Sequence, residues 1–116
     1  MLFICYSKCS TCKKAQQWLD SHNMKYETRD IKGQNLTYEE LEKWIPLSNL
    51  PLKKFWNTSG LSYRALDLKD KLATMSIEGQ IRLLSSDGML VKRPIVVKDG
   101  IVLVGFSEKY WASRLL

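Results

Sequence analysis

All three cysteines of this 116-residue chain fall within its first twelve positions, as Cys5, Cys9 and Cys12, and the last two enclose Cys9-Ser10-Thr11-Cys12. That crowding limits what the chain can be. A disulfide-stapled scaffold spreads its cysteines along the sequence. A structural zinc site needs four ligands, and here only Cys5 and the lone His22 could complete the set. Four ligands packed into one turn and a helix end make poor tetrahedral geometry, so no metal is expected. Two readings remain: a redox-active pair, or two inert cysteines at a helix end.

The flanking residues favour the redox pair. Phe3-Ile4-Cys5 is a short apolar run suited to a buried strand, and a polar loop follows it. Ala15, Trp18, Leu19 and His22 then recur at helical spacing, with His22 expected on the solvent side near the helix end. The motif thus sits where a strand passes into a helix, with Cys9 at the helix N-terminus. Unpaired backbone N–H groups and the positive end of the helix dipole favour an anion there. Lys8, Lys13 and Lys14 add positive potential. These effects lower the expected pKa of Cys9 and raise its thiolate fraction. Cys12, one turn further in, is within reach of a mixed disulfide formed on Cys9.

The rest of the chain supplies a framework. Residues 26–31 read as a second strand, completing a β-α-β unit. Thr37 and Glu40 form a capping box that opens a helix through about Ile45, ended by Pro46. Leu50 to Trp56 reads as a short helix closed by Asn57-Thr58-Ser59-Gly60. Ser76 caps a helix through Leu84, stopped by Ser85-Ser86-Asp87-Gly88. Two apolar runs flanking Asp99-Gly100 predict a tight hairpin, and Ser107 caps a final helix carrying Tyr110, Trp111, Arg114 and Leu115. The order predicts an α/β sandwich with a small mixed sheet and helices on both faces. Trp18, Trp44, Trp56 and Trp111, on four separate predicted helices, read as packing residues. Pro94, just before a strand, is a candidate cis proline whose neighbouring backbone would lie beside the cysteine pair; an ordinary trans proline is the alternative.

With 45% hydrophobic residues, the chain can bury a core as a single domain over 1–116. No apolar run approaches the roughly 18 residues of a membrane span. No secretion signal opens the sequence, so a cytoplasmic location is expected. The net charge of +6 is spread along the chain. It reads either as a solvated basic surface or as attraction for an anion: a thiolate, an oxyanion, an acidic protein face or nucleic acid. Base-reading signatures are missing, so direct nucleic-acid binding is not expected.

Cys9-Ser10-Thr11-Cys12-Lys13-Lys14-Ala15, Leu90-Val91-Lys92-Arg93-Pro94-Ile95-Val96 and Val104-Gly105-Phe106 together resemble the arsenate reductase (ArsC) family, near the branch that includes the transcription regulator Spx. The resemblance runs from Met1 to about Leu115. It implies a thioredoxin-like (glutaredoxin-like) core, a helical insertion at about 34–86 and a cis peptide before Pro94. In the family's enzymes the nucleophile falls at Cys9, and three arginines clamp the oxyanion. Arg93 matches one of them; the other two positions hold Asn57 and Gly105, and a histidine of the loop is replaced by Cys5. Each missing charge-assisted contact costs about 1.5–3 kcal/mol of anion binding. Weak or no arsenate reduction is therefore expected. Arg64 is a candidate replacement cation, or else a surface or salt-bridging residue.

The expected function is thiol–disulfide exchange. Cys9 attacks, Cys12 resolves, Thr11 and the helix amides stabilise the thiolate, Lys13 and Arg93 attract an anionic substrate, and backbone beside Pro94 aligns it. A thiol or a thioredoxin/glutaredoxin-type donor would supply electrons to a monomer, with no cofactor. The alternative implied by the resemblance is an Spx-like redox sensor that binds the C-terminal domain of the RNA polymerase α subunit, although the chain stops after its last helix without Spx's basic extension. Cys5 is open between buried packing and a third redox thiol.

Overall fold

Side chains alternate across a strand, so a strand covered on both faces sends successive apolar residues to two different cores. The computed structural model, which describes residues 1–116, shows this in β1 (Leu2–Cys5). Phe3 packs with Ala15, Trp18, Leu19, Val96, Leu103 and Trp111. Its neighbour Ile4 packs on the opposite side with Ile31, Leu41, Trp44, Leu84, Ile95 and Val102. β1 pairs in parallel with β2 (Glu27–Asp30) and antiparallel with β3 (Ile95–Lys98), which pairs antiparallel with β4 (Ile101–Val104). The strand order is β2-β1-β3-β4. Helices α1 (Ser10–Ser21) and α6 (Glu108–Leu115) cover the Phe3 face. Helices α2 (Tyr38–Ser48) and α5 (Ile77–Ser86), with the shorter α3 (Leu61–Ala65) and α4 (Leu68–Lys71), lie between β2 and β3 in the chain. Residues of α2, α4 and α5 fill the Ile4 face. This is the expected mixed-sheet α/β sandwich. No helix is long and apolar enough to cross a membrane.

Local signals set most boundaries. The Thr37–Glu40 capping box forms in full. Ser76 and Ser107 accept from the N–H groups of Gly79 and Tyr110. Asp99 and Gly100 both take positive φ, 45° and 81°, as a tight turn matched to strand twist requires. The Arg93–Pro94 peptide is cis.

Three expectations need correction. Helix α2 does not end at Pro46 but runs through it to Ser48. Proline in the last turn forfeits one backbone hydrogen bond, and the stop comes at Asn49, which adopts the left-handed conformation at φ 58°. Trp56 is not helical. A 3₁₀ turn covers only Leu52–Phe55, and Trp56 then extends to bridge Val91 antiparallel. Helices α3 and α4 arise where none was expected.

One ion pair ties β2 to the start of α2. Arg29 donates from Nη1 and Nη2 to the two carboxylate oxygens of Glu40 at 2.8 and 2.7 Å. Those hydrogen bonds outweigh burial, which opposes ionisation, and together with the Thr37 N–H they hold the Glu40 carboxyl below its ordinary pKa. A depressed carboxyl contributes stability in full above its unfolded pKa, about 4.3, and loses it as pH falls through the lower folded value. Glu40→Gln keeps the capping geometry while removing the charge. It is expected to lower unfolding free energy by about 1–2 kcal/mol at pH 7, with the deficit shrinking towards pH 3, as read by urea unfolding at both pH values.

Candidate active site

Cys9 is the N-cap of α1, with extended backbone at φ −95° and ψ 119°. It is held there by its own N–H, which donates to the Tyr6 carbonyl at 3.0 Å, and by its carbonyl, which accepts from Lys13. Its thiol is half-buried. At rest it makes no full capping hydrogen bond, yet the N–H groups of Cys12 and Thr11 are placed to favour its anion. Burial opposes ionisation most strongly, but the Cys12 and Thr11 amides, the Cys12 thiol and the Arg93 charge together outweigh it. The net result is a Cys9 pKa below that of an ordinary cysteine.

Cys12 is the opposite case. It is buried at 3% exposure and accepts a hydrogen bond from the Tyr6 N–H at 3.4 Å. Burial raises its pKa first, and proximity to Cys9 adds to this, so it is pushed up to about 12. The two thiols therefore differ in environment: Cys9 is half-buried with its anion favoured, and Cys12 is sheltered with its anion disfavoured.

A cleft of about 830 Å³ opens over Cys9. One wall is the loop before α1, with Tyr6, Lys8 and Thr11; another is Lys92, Arg93, Gly105 and Phe106; a third is the polar run from Asn57 to Ser62. No acidic side chain lines it, whereas Lys8, Lys92 and Arg93 do. The third wall is pinned by backbone: Asn57 N–H donates to Leu90 O, and Lys92 N–H to Phe55 O, each at 2.8 Å. Arg93 lies with its guanidinium carbon 5.2 Å from the centre of the Tyr6 ring. Its Nη1 donates to Val91 O at 3.2 Å, while its buried Nε has no acceptor. Its charge is among the influences that favour the Cys9 anion.

Of the residues singled out from sequence, Cys9, Thr11 and Arg93 line the cleft. Pro94 lies directly behind Arg93, its carbonyl accepting from the Gly105 N–H at 2.9 Å. Two residues lie elsewhere. Lys13 is exposed on α1 and does not line the cleft, because it falls past the first turn on the solvent side. Arg64 borders a separate hollow with Thr58, Tyr63, Asp67 and Lys69, because α3 turns it away from Cys9. Asn57 and Gly105, where the resemblance placed two clamp arginines, do line the cleft. Gly105 has φ 77°, and a Cβ there would come within 2.9 Å of Lys92 Cε, so a larger residue would be strained. Lys92 and the wall residues beyond Asn57 were not foreseen as cleft residues. Lys92 adjoins Arg93 in the sequence, and the wall residues adjoin Asn57, which were the available signals.

The ArsC family matches residues 5–113. A protein from Bacillus subtilis, YusI, is 47% identical over 93% of this chain and 92% of its own length. The global transcriptional regulator Spx of Staphylococcus epidermidis is 24% identical over 86% of this chain and 75% of its own. Among solved structures, an ArsC family related protein from Bacteroides fragilis superposes with a TM-score of 0.94 at 54% identity, covering 97% of this chain and 94% of that one. A "possible arsenate reductase" from Streptococcus mutans gives 0.84 at 47% identity, covering 90% and 89%. The mixed sheet flanked by helices is the thioredoxin-like architecture these structures share. With its reactive N-cap cysteine, its buried partner thiol and a family match across nearly its whole length, this chain belongs to the ArsC family of thiol-redox proteins.

Proposed function

We propose that this protein is a thiol–disulfide oxidoreductase that reduces an anionic mixed disulfide. The observation that carries the reading is the pairing of a half-exposed, anion-favouring Cys9 beneath Arg93 with a sheltered, protonated Cys12 one turn away. The Cys9 thiolate attacks one sulfur of the substrate disulfide and expels the other as a thiolate. Cys12 then loses its proton and attacks the Cys9 sulfur. The second substrate thiol leaves, and a Cys9–Cys12 disulfide remains. A thiol or thioredoxin/glutaredoxin-type donor returns two electrons to close the cycle.

The shape of the cleft supports a substrate larger than a tetrahedral oxyanion. A volume of about 830 Å³ falls in the range of sites for small organic ligands. Lys8, Lys92 and Arg93 on its walls suit carboxylates on such a substrate. With Asn57 and Gly105 in place of two clamp arginines, arsenate has one cationic contact of the family's three. We propose that arsenate turnover is slower than disulfide turnover by at least about 100-fold on that ground.

A second reading has one observation in its favour, the likeness to proteins named as transcriptional regulators. In it the same cysteine pair acts as a sensor, and the chain binds the C-terminal domain of the RNA polymerase α subunit. A pull-down with that domain that depends on the redox state, together with no turnover of arsenate or disulfide, would favour the regulator.

The reductase reading is tested by capture. With a small carboxylated mixed disulfide, Cys12→Ser is expected to accumulate an adduct on Cys9, visible as an added substrate thiol in the intact mass. Wild type should turn over without accumulating it, and Cys9→Ser should capture nothing. If neither substitution changes turnover, the reading fails.

A further inference from the structure

Cys5 plays no part in the exchange cycle above, yet it lies against it. Phe3 and Cys5 are two apart on β1, so they share the face covered by α1, and Cys5 packs against the same core cluster as Ala15 and Trp18. Cys12 projects from α1 onto that face, and its sulfur is held at the N–H of Tyr6, the residue after Cys5. The Cys12 sulfur thus lies beside the Cys5–Tyr6 backbone and one helical turn from Cys9, and it bears on the ionisation of both. Cys12 is therefore the shared neighbour of the other two thiols, and the three form no group that could hold a metal ion.

We propose that Cys5 is a third redox thiol, which takes the disulfide over from Cys9 so that the oxidised chain settles as Cys5–Cys12 with Cys9 free. This rests on the exchange reading above, because a Cys9–Cys12 disulfide must form first. In the transfer, Cys5 loses its proton to water and its thiolate attacks the Cys12 sulfur. The Cys5–Cys12 bond forms, the Cys9–Cys12 bond breaks, and the electron pair leaves on the Cys9 sulfur. No electrons enter or leave the chain, so no further oxidant or reductant is needed.

The environment drives this in one direction. Of the three sulfurs, Cys9 alone has its anion favoured, by the helix amides and Arg93, so it is the best leaving group and the most stable free thiolate. Burial, and then the charge of Asp30 directly opposite in the β1–β2 register, keep Cys5 protonated until it is called on. The other groups that face the three thiols are Tyr6, Lys8, Lys92 and Arg93 on the cleft side and Tyr26 on the β2 side. The oxidised protein would therefore store its disulfide inside and still present a nucleophile at the cleft. Higher pH favours the transfer, since Cys9 is released as an anion.

The sequence makes connectivity easy to read. Trypsin cuts after Lys8 and Lys13, which puts Cys5 in one peptide and both Cys9 and Cys12 in the next. The full chain is oxidised with one equivalent of diamide, equilibrated at pH 6 and at pH 8, quenched with acid, labelled with N-ethylmaleimide and digested for mass spectrometry. The expected product is Met1–Lys8 joined to Cys9–Lys13 through Cys12, with the label on Cys9. Its ratio to the Cys9–Cys12 loop should rise from pH 6 to pH 8. Cys9→Ser, treated in the same way, should give a Cys5–Cys12 link. Recovery of only the Cys9–Cys12 loop with labelled Cys5 at both pH values would overturn the transfer and leave the exchange reading standing. So would two labelled thiols in Cys9→Ser, or a link through Cys9. No disulfide in wild type would sink both.

Discussion

The contest between burial and fixed donors at the Cys9 sulfur, the N-cap of α1, is the constraint on which this site depends. Cys9 is buried enough for desolvation to oppose its charge, and this is the largest single influence on it. The opposing groups are small one at a time: two backbone amides, a neighbouring thiol and one guanidinium. They prevail because all of them are fixed before the charge appears, so no reorganisation is needed when the sulfur ionises. The same burial, acting one turn deeper without those donors, pushes Cys12 to about 12. A single turn of helix thus separates a sulfur whose anion is favoured from one whose anion is not.

The two-faced sheet is what keeps those donors in place. On one side, Trp111 is fully buried edge-on to Phe3, Trp18 and Phe106, and its indole N–H donates to Gly105 O at 2.9 Å. Gly105 in turn donates to Pro94 O, so hydrogen bonds tie α6, the end of the hairpin and the Arg93–Pro94 segment together. On the other side, Phe55, Trp56 and Asn57 pair with Leu90, Val91 and Lys92, which fixes the polar wall opposite. Removing a fully buried tryptophan costs about 3–5 kcal/mol, so the aromatic cluster around α6 carries a large share of the rigidity the site uses.

How much of this could be read in the sequence depended on the range of the forces involved. Elements fixed by neighbours in the chain were legible: the strand–helix junction at Cys9, the Thr37–Glu40 box, the Ser76 and Ser107 caps, and the Asp99-Gly100 turn. Elements fixed by distant partners were not. Trp56 looked helical because Leu50 to Trp56 has no local strand signal, and its extended form comes from pairing with Val91. Helices α3 and α4 show little apolar periodicity, since Leu61 and Leu66 are exposed and Leu68 alone is buried there. The site followed the same rule. Cys9, Thr11 and Cys12 stand out through the local motif and Arg93 through the family resemblance, while Lys13, noted for its charge, and Arg64, offered as a replacement for the missing clamp arginines, lie outside the cleft.

Every role assigned to the cysteines requires that helix amides and Arg93 overcome desolvation at one sulfur. The pH dependence of iodoacetamide reactivity at Cys9, in wild type and in Arg93→Met, measures this. The expected midpoint lies clearly below about 8.5, the value for a free cysteine, and moves upward in Arg93→Met. A midpoint at or above about 8.5 that Arg93→Met leaves unchanged would show that desolvation prevails.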